Sequence, residues 1–253
     1  SSAVYKFQLN AVTGGGDTRQ LYFSNTSNFT LPFQTVVLVE ALSSTTFTDF
    51  SLPENQGDFL ILTHPSLRTG AVDQVARYHD YRASLEGGSF AVHTINIEEL
   101  YDQFAWGIRK HPMAIRNFVQ YAFDNWTETP NYLLLLGKSI NYYNGHHAVS
   151  EDYYNRNLVP TFGFSPSDAM LSSQFVYSYR SRLATGRIPA KSPNDVRIYL
   201  DKLMIYESNK QNPPCDKAAN LWMKDALHIA GGYNLGEANS FLSTLAVYED
   251  IYE

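Results

Sequence analysis

The run Asn131–Gly137 (Asn-Tyr-Leu-Leu-Leu-Leu-Gly) constrains this chain more than any other segment. Four successive leucines between Pro130 and Gly137 leave no polar face. A short strand of that kind must be buried on both sides, which is the situation in a parallel sheet covered by helices above and below. Similar short strands are read at Phe59–Thr63, Ser89–Ile95, Ala184–Pro189 and Ala226–Gly231.

Helical spacing fills the intervals. Arg68–Leu85 carries Val72, Val75, Ala76, Tyr78, Tyr81 and Leu85, with Gly87-Gly88 as a stop. A short helix is expected around Ile97–Phe104 and another from Pro112 to Trp126, where Pro suits the first turn. Ser192-Pro193-Asn194-Asp195 is a helix start. Ser192 caps an amide three residues on, Pro193 suits the first turn and Asp195 favours the positive end of the dipole. That helix is expected to run to about Ser208, and a last one to include Phe241, Leu242, Leu245, Val247 and Tyr248. Strands alternating with helices at this spacing predict right-handed crossovers and a three-layer α/β domain over residues 57–253.

Residues 1–56 are patterned differently. Val4–Asn10, Arg19–Ser24 and Thr35–Ala41 are short runs divided by turn-forming residues, which predicts a small antiparallel β region. Gly14–Gly16 has no following GK[ST] and opens no helix, so it reads as a hairpin turn rather than a phosphate loop. Residues 138–181 form a long stretch rich in Gly, Pro and Tyr; such a loop is usually functional or carries small strands of its own.

Composition narrows the function. With 44% hydrophobic and 17% charged residues the chain can build a core. A net charge of −6 and no Lys/Arg stripe argue against a nucleic-acid partner. Eighteen Tyr and fifteen Phe suit packing first, and peptide or glycan handling second. No apolar run much exceeds the four residues of Leu133–Leu136, far too short to span a membrane. The opening Ser-Ser-Ala-Val has no basic and apolar leader pattern and reads as a processed or trimmed terminus.

Candidate chemistry is sparse. Cys215, the single cysteine, sits between Pro213-Pro214 and Asp216-Lys217, where no apolar strand presents it, so it reads as an exposed thiol. Gly145-His146-His147 is the nearest thing to a Gly-His turn, in the long loop. His228 alternates onto one face of an expected strand and reads as a core histidine. No His/Cys/Asp cluster has metal-ligand spacing, and no Gly-x-Ser-x-Gly elbow occurs.

Six blocks, in order, carry a family resemblance. They are Asp58–Pro65, Ile97–Gly107, Pro112–Phe118, Tyr132–Gly137, Gly186–Ala190 and Lys202–Glu207, closing on Trp222. Together they resemble the gingipain-like cysteine peptidases, the group that includes the type IX secretion sortase. That resemblance implies a caspase-like, mostly parallel sheet with helices on both faces, here incomplete, and an extracytoplasmic location. It also implies polypeptide substrates or secretion-system partners, and a His/Cys dyad placed beyond Glu253, so that no catalytic residue is assigned within this chain and the chain by itself is expected to be inactive. Ser167-Asp168 matches a Ser-Asp turn near the family's substrate pocket. Asp168 is therefore a candidate for receiving a basic side chain, with a turn-capping Asp as the alternative. Two departures stand out: Lys138 follows Gly137 where relatives have Asp, and Ala169-Met170-Leu171 lacks the usual aromatics. No cofactor is implied; calcium occurs in similar peptidases, but no acidic loop here has a clear calcium pattern. A non-catalytic caspase-like scaffold that binds a peptide or partner is the alternative reading, and a general α/β ligand-binding domain a third.

Overall fold

The computed structural model describes residues 47–141, 143, 150–174, 180–225, 227 and 229–252. Of the antiparallel region expected at residues 1–56, residues 1–46 lie outside them, as do His146, His147 and His228.

The described residues hold four parallel strands: β1 (Phe59–Thr63), β2 (Val92–Asn96), β3 (Tyr132–Leu136) and β4 (Ala184–Ile188), in the order β2-β1-β3-β4. Residues pair in register, Thr63 facing Asn96 on one side and Leu136 on the other. Six α-helices accompany them: α1 (Gln74–Ala83), α2 (Ile97–Phe104), α3 (Met113–Asn125), α4 (Glu151–Asn155), α5 (Pro193–Gln211) and α6 (Leu235–Tyr252).

Strand alternation separates two cores. Leu60, Leu62, Leu133 and Leu135 face α2 and α3, where Leu100, Tyr101, Ile115 and Phe118 are buried. Phe59, Ile61, Leu134, Leu136 and Ile188 face the other way, onto Val75 and Tyr78 of α1 and Val196 and Leu200 of α5. Each fully buried leucine contributes about 2 kcal/mol of transfer free energy, so the leucine run anchors both cores at once. The chain moves one way across the sheet from β1 to β2 and back past β1 to β3. Right-handed crossovers in opposite directions put α1 and α2–α3 on opposite faces. The three-layer α/β architecture expected from the sequence is the observed one.

Caps explain the helix starts. Asp73 accepts from the amides of Val75 (3.0 Å) and Ala76 (3.1 Å), and Asn96 from Glu98 (3.0 Å). Ser192 and Asp195 form the full capping box at α5.

Three local expectations differ from the structure. The helix expected from Arg68 starts only at Gln74, because Pro65–Arg68 forms a 3-10 turn and Gly70 (φ 118°) breaks the path; Val72 and Leu85 are exposed. The long 138–181 stretch holds α4 and a 3-10 turn at Ala169–Leu171. Most substantially, no strand forms among the described residues of Ala226–Gly231, and Leu227 and Ile229 are 83% and 81% exposed. Apolar alternation makes a strand only when an edge pairs with it, and among the described residues β4 pairs only with β3.

Candidate functional site

In a parallel sheet every strand points its carboxyl end at the same edge, and α/β folds collect their chemistry there. The turns after β1, β3 and β4 and the start of α2 after β2 make that edge here.

After β1, His64 Nδ1 accepts from the amide of Ser66 (3.2 Å) and lies 2.8 Å from its Oγ. The other ring nitrogen, Nε2, faces α2. That nitrogen is 3.4 Å from Glu98 Oε1, in the first turn of α2. Arg109 pairs with Glu98 and reaches Asp102 one turn on at 3.6 Å. Burial would raise the Glu98 carboxyl, but the His64 hydrogen bond and the charges of Arg109, His64 and Lys110 outweigh it and hold it below the usual carboxylate range. Lys110 donates to the Tyr154 carbonyl (2.6 Å) and lies over the Tyr154 ring at 4.0 Å, with burial lowering its ammonium pKa.

Behind β3 and β4 the edge is tied together by Arg187. Its Nε donates to Asp168 Oδ2 (2.7 Å) and one terminal nitrogen to Oδ1 (2.8 Å). The remaining N–H groups reach the carbonyls of Gly137 (2.7 Å), Val159 (2.8 Å) and Pro160 (3.2 Å). All five guanidinium donors are therefore used. Asp168 is thus an ion-pair partner whose charge Arg187 matches from within the chain, and its side chain makes no cap to the turn that follows. Burial would raise its carboxyl; the hydrogen bonds and charge of Arg187 reverse that and keep it low.

Among the described residues, Thr63 Oγ1, Tyr101 OH and Asn157 Oδ1, like Asp58 Oδ1 and Asn220 Oδ1 elsewhere, are buried with no hydrogen-bond partner, although buried polar groups are nearly always paired. Tyr101 lies within electrostatic reach of Glu98, Tyr154 and Arg187, which places it in this cluster, and burial pushes its hydroxyl pKa well up. Among the described residues no group of three His, Cys, Asp or Glu side chains could hold a metal ion.

Cys215 is elsewhere. α5 leaves the carboxyl edge and runs for 19 residues, about 28 Å of helix. Its last residue, Gln211, donates to the carbonyl of Glu86, just past the end of α1 on the way into β2. The exposed thiol therefore belongs to the amino edge, away from the His64–Glu98 pair.

A family model described as peptidase family C25 matches residues 52–252. The chain belongs to peptidase family C25, the gingipain family. Dimeric latent PorU from Porphyromonas gingivalis shares the fold: the TM-score is 0.50 at 20% identity, over 75% of this chain and 18% of that one. The chain thus spans under a fifth of the length of that neighbour. No curated protein sequence matches it.

Family resemblance in the sequence rested on blocks that the structure now explains. Asp58–Pro65 is β1 with the His64 turn, Gly186–Ala190 holds Arg187, and Tyr132–Gly137 is the double-faced strand. Sequence reasoning singled out neither His64 nor Glu98 as a pair. Their one legible signal was position, His64 directly after β1 and Glu98 two residues after β2.

Proposed function

We propose that this C25 chain forms the first strands and the carboxyl-edge framework of an extracytoplasmic cysteine peptidase of the type IX secretion sortase kind. Its catalytic His and Cys are supplied by sequence following Glu253. The carrying observation is the family match over residues 52–252 in a chain whose only cysteine is at the amino edge of the sheet. Thiol catalysis needs an imidazole that favours the thiolate and protonates the leaving amine, plus amides that stabilise the oxyanion. Among the described residues no hydrogen bond or ion pair gives Cys215 such company. In this reading polypeptide is the substrate, secretion-system proteins are the partners, and Asp168 serves the substrate region by fixing Arg187 and the loop it holds. Among the described residues no helix is long and apolar enough to cross a membrane.

The test compares the 253-residue chain with a version extended by the following residues of its gene, using fluorogenic peptides with Arg or Lys at the cleavage point. Turnover by the extended version alone is expected. Turnover by the short chain that disappears in Cys215→Ala would overturn the proposal. An extended chain that folds and shows no turnover would favour the non-catalytic scaffold.

A further inference from the structure

Between the ends of β3 and β4 lies a small cavity of about 200 Å³, lined by Lys138, Arg156, Leu158 and Lys191. Three of its four walls carry positive charge, in a chain whose net charge is −6. We infer that this crevice binds the carboxylate of an acidic side chain in a polypeptide.

Several observations on one locus support it. The crevice is held by main-chain bonds rather than by chance approach of surface side chains. The Lys138 amide donates to the Ala190 carbonyl (2.8 Å), and the Leu158 amide donates to the Lys138 carbonyl (2.8 Å). The three cations are thus mounted on the ends of two strands and on the segment that Arg187 ties to them. Neither Lys138 nor Lys191 has a side-chain ion pair among the described residues. The anionic groups nearby are Asp152, paired with Arg156 at 2.5 Å, and Asp195, whose carboxylate accepts from the Lys191 amide and caps α5. Among the described residues no carboxylate forms an ion pair with the Lys138 ammonium, and an incoming carboxylate supplies one.

Size decides the ligand class. Pockets for drug-sized or nucleotide ligands run to roughly 300–1,000 Å³. A cavity of about 200 Å³ fits one side chain. Leu158 offers an apolar wall for the methylene stem of a Glu, while ammonium and guanidinium groups take its oxygens through charge-assisted bonds. Overall negative charge disfavours nucleic acid. That the carboxylate arrives on a polypeptide rests on family membership. The crevice does not depend on where the dyad is, and binding is measured without turnover, so failure here leaves the proposed function standing.

The experiment uses fluorescence anisotropy with a labelled peptide bearing three glutamates, its three-glutamine counterpart, and the glutamate peptide with an amidated C-terminus. The glutamate peptide should bind at least about tenfold tighter than the glutamine one, amidated or not, and weaken as salt rises. Lys138→Gln should weaken it about three- to tenfold, and Lys138→Gln with Lys191→Gln should bring it to the glutamine level. Circular dichroism and melting of both variants should match the parent, since neither side chain supports the core. Equal affinity for both peptides would overturn the inference, as would unchanged affinity in the double variant. Loss of binding on amidation would assign the site to a chain terminus, and displacement of nothing but inorganic phosphate would make it a small-anion site; either outcome also overturns it.

Discussion

Arg187 and Asp168 meet as two forks, Nε on Oδ2 at 2.7 Å and a terminal nitrogen on Oδ1 at 2.8 Å, with side chains only 12% and 28% exposed. The pair closes the segment after β3 against the end of β4, so losing either partner strands the other. Asp168→Asn should cost about 2–4 kcal/mol and lower the melting midpoint by roughly 5–10 °C. Arg187→Lys keeps the charge but cannot rebuild the fork, and should fall in the same range. Urea titrations of the three proteins check this; a midpoint unchanged in both variants would mean the pair is idle.

The same pair sets an acid limit. Its folded carboxyl pKa lies below the ordinary value, so the pair's contribution is present above about pH 4, the unfolded value, and is lost as pH falls through the folded one. The stability gap between parent and Asp168→Asn should therefore be full at neutral pH and shrink below pH 4. A gap constant down to the lowest pH at which the parent folds would contradict the assignment.

At the alkaline end the group to watch is Tyr81. Its hydroxyl donates to Glu207 Oε2 at 2.5 Å, and that carboxylate also accepts from both terminal nitrogens of Arg82 at 3.1 and 3.0 Å. Burial first, then the Glu207 hydrogen bond and charge, push the Tyr81 pKa up to about 12. A raised pKa means this contribution is whole below the unfolded value near pH 10 and disappears as pH rises towards 12. Between those limits the parent should lose more thermal stability than Tyr81→Phe, measured as melting midpoint against pH. Parallel slopes would refute it.

Gly137 ends β3 at φ 151°, a conformation side chains rarely adopt. A Cβ there would meet Val159 Cγ2 at 2.8 Å and Leu158 Cβ at 3.2 Å. Gly137→Ala should cost about 1–3 kcal/mol and displace Leu158, a wall of the cationic crevice. Chemical denaturation gives the first number. Weaker glutamate-peptide binding by the still-folded variant gives the second.

The sheet was legible because its signals are local. Tyr132–Leu136 has no polar residue to place outside, and Ser192-Pro193-Asn194-Asp195 contains a cap, a fixed φ and a helix-dipole partner in four consecutive positions. The edge chemistry was less legible because its pairs are distant in sequence: His64 with Glu98, Lys110 with Tyr154, Arg187 with Asp168. Nothing in spacing reveals such pairs until the strand order β2-β1-β3-β4 is known. Asp168 was noticed for its turn, yet its partner is on a strand 19 residues away. The segment Ala226–Gly231 shows the converse. Its alternation satisfies the strand pattern, but alternation is a statement about one chain segment, and a strand also needs a neighbour.

The described residues of that segment and α6 carry the last prediction. Leu227, Ile229, Leu235, Phe241, Leu242, Val247 and Tyr248 are all exposed, and on α6 they are spread around the helix rather than gathered in one stripe against the sheet. A helix apolar on several sides is stable only against a partner, and exposed apolar surface of this kind draws other chains. Leu221 and Trp222 of the 3-10 turn Ala218–Lys224 add to the exposed apolar surface of the segments after α5. The 253-residue chain should therefore associate with itself as concentration rises to about 100 µM. Replacing Phe241 and Leu242 with Glu should reduce association without lowering the main melting transition, because neither contributes to the two sheet cores. Light scattering across a dilution series measures the first effect and calorimetry the second. A chain that stays monomeric throughout, with the double variant indistinguishable from it, would show that α6 is already satisfied as it stands.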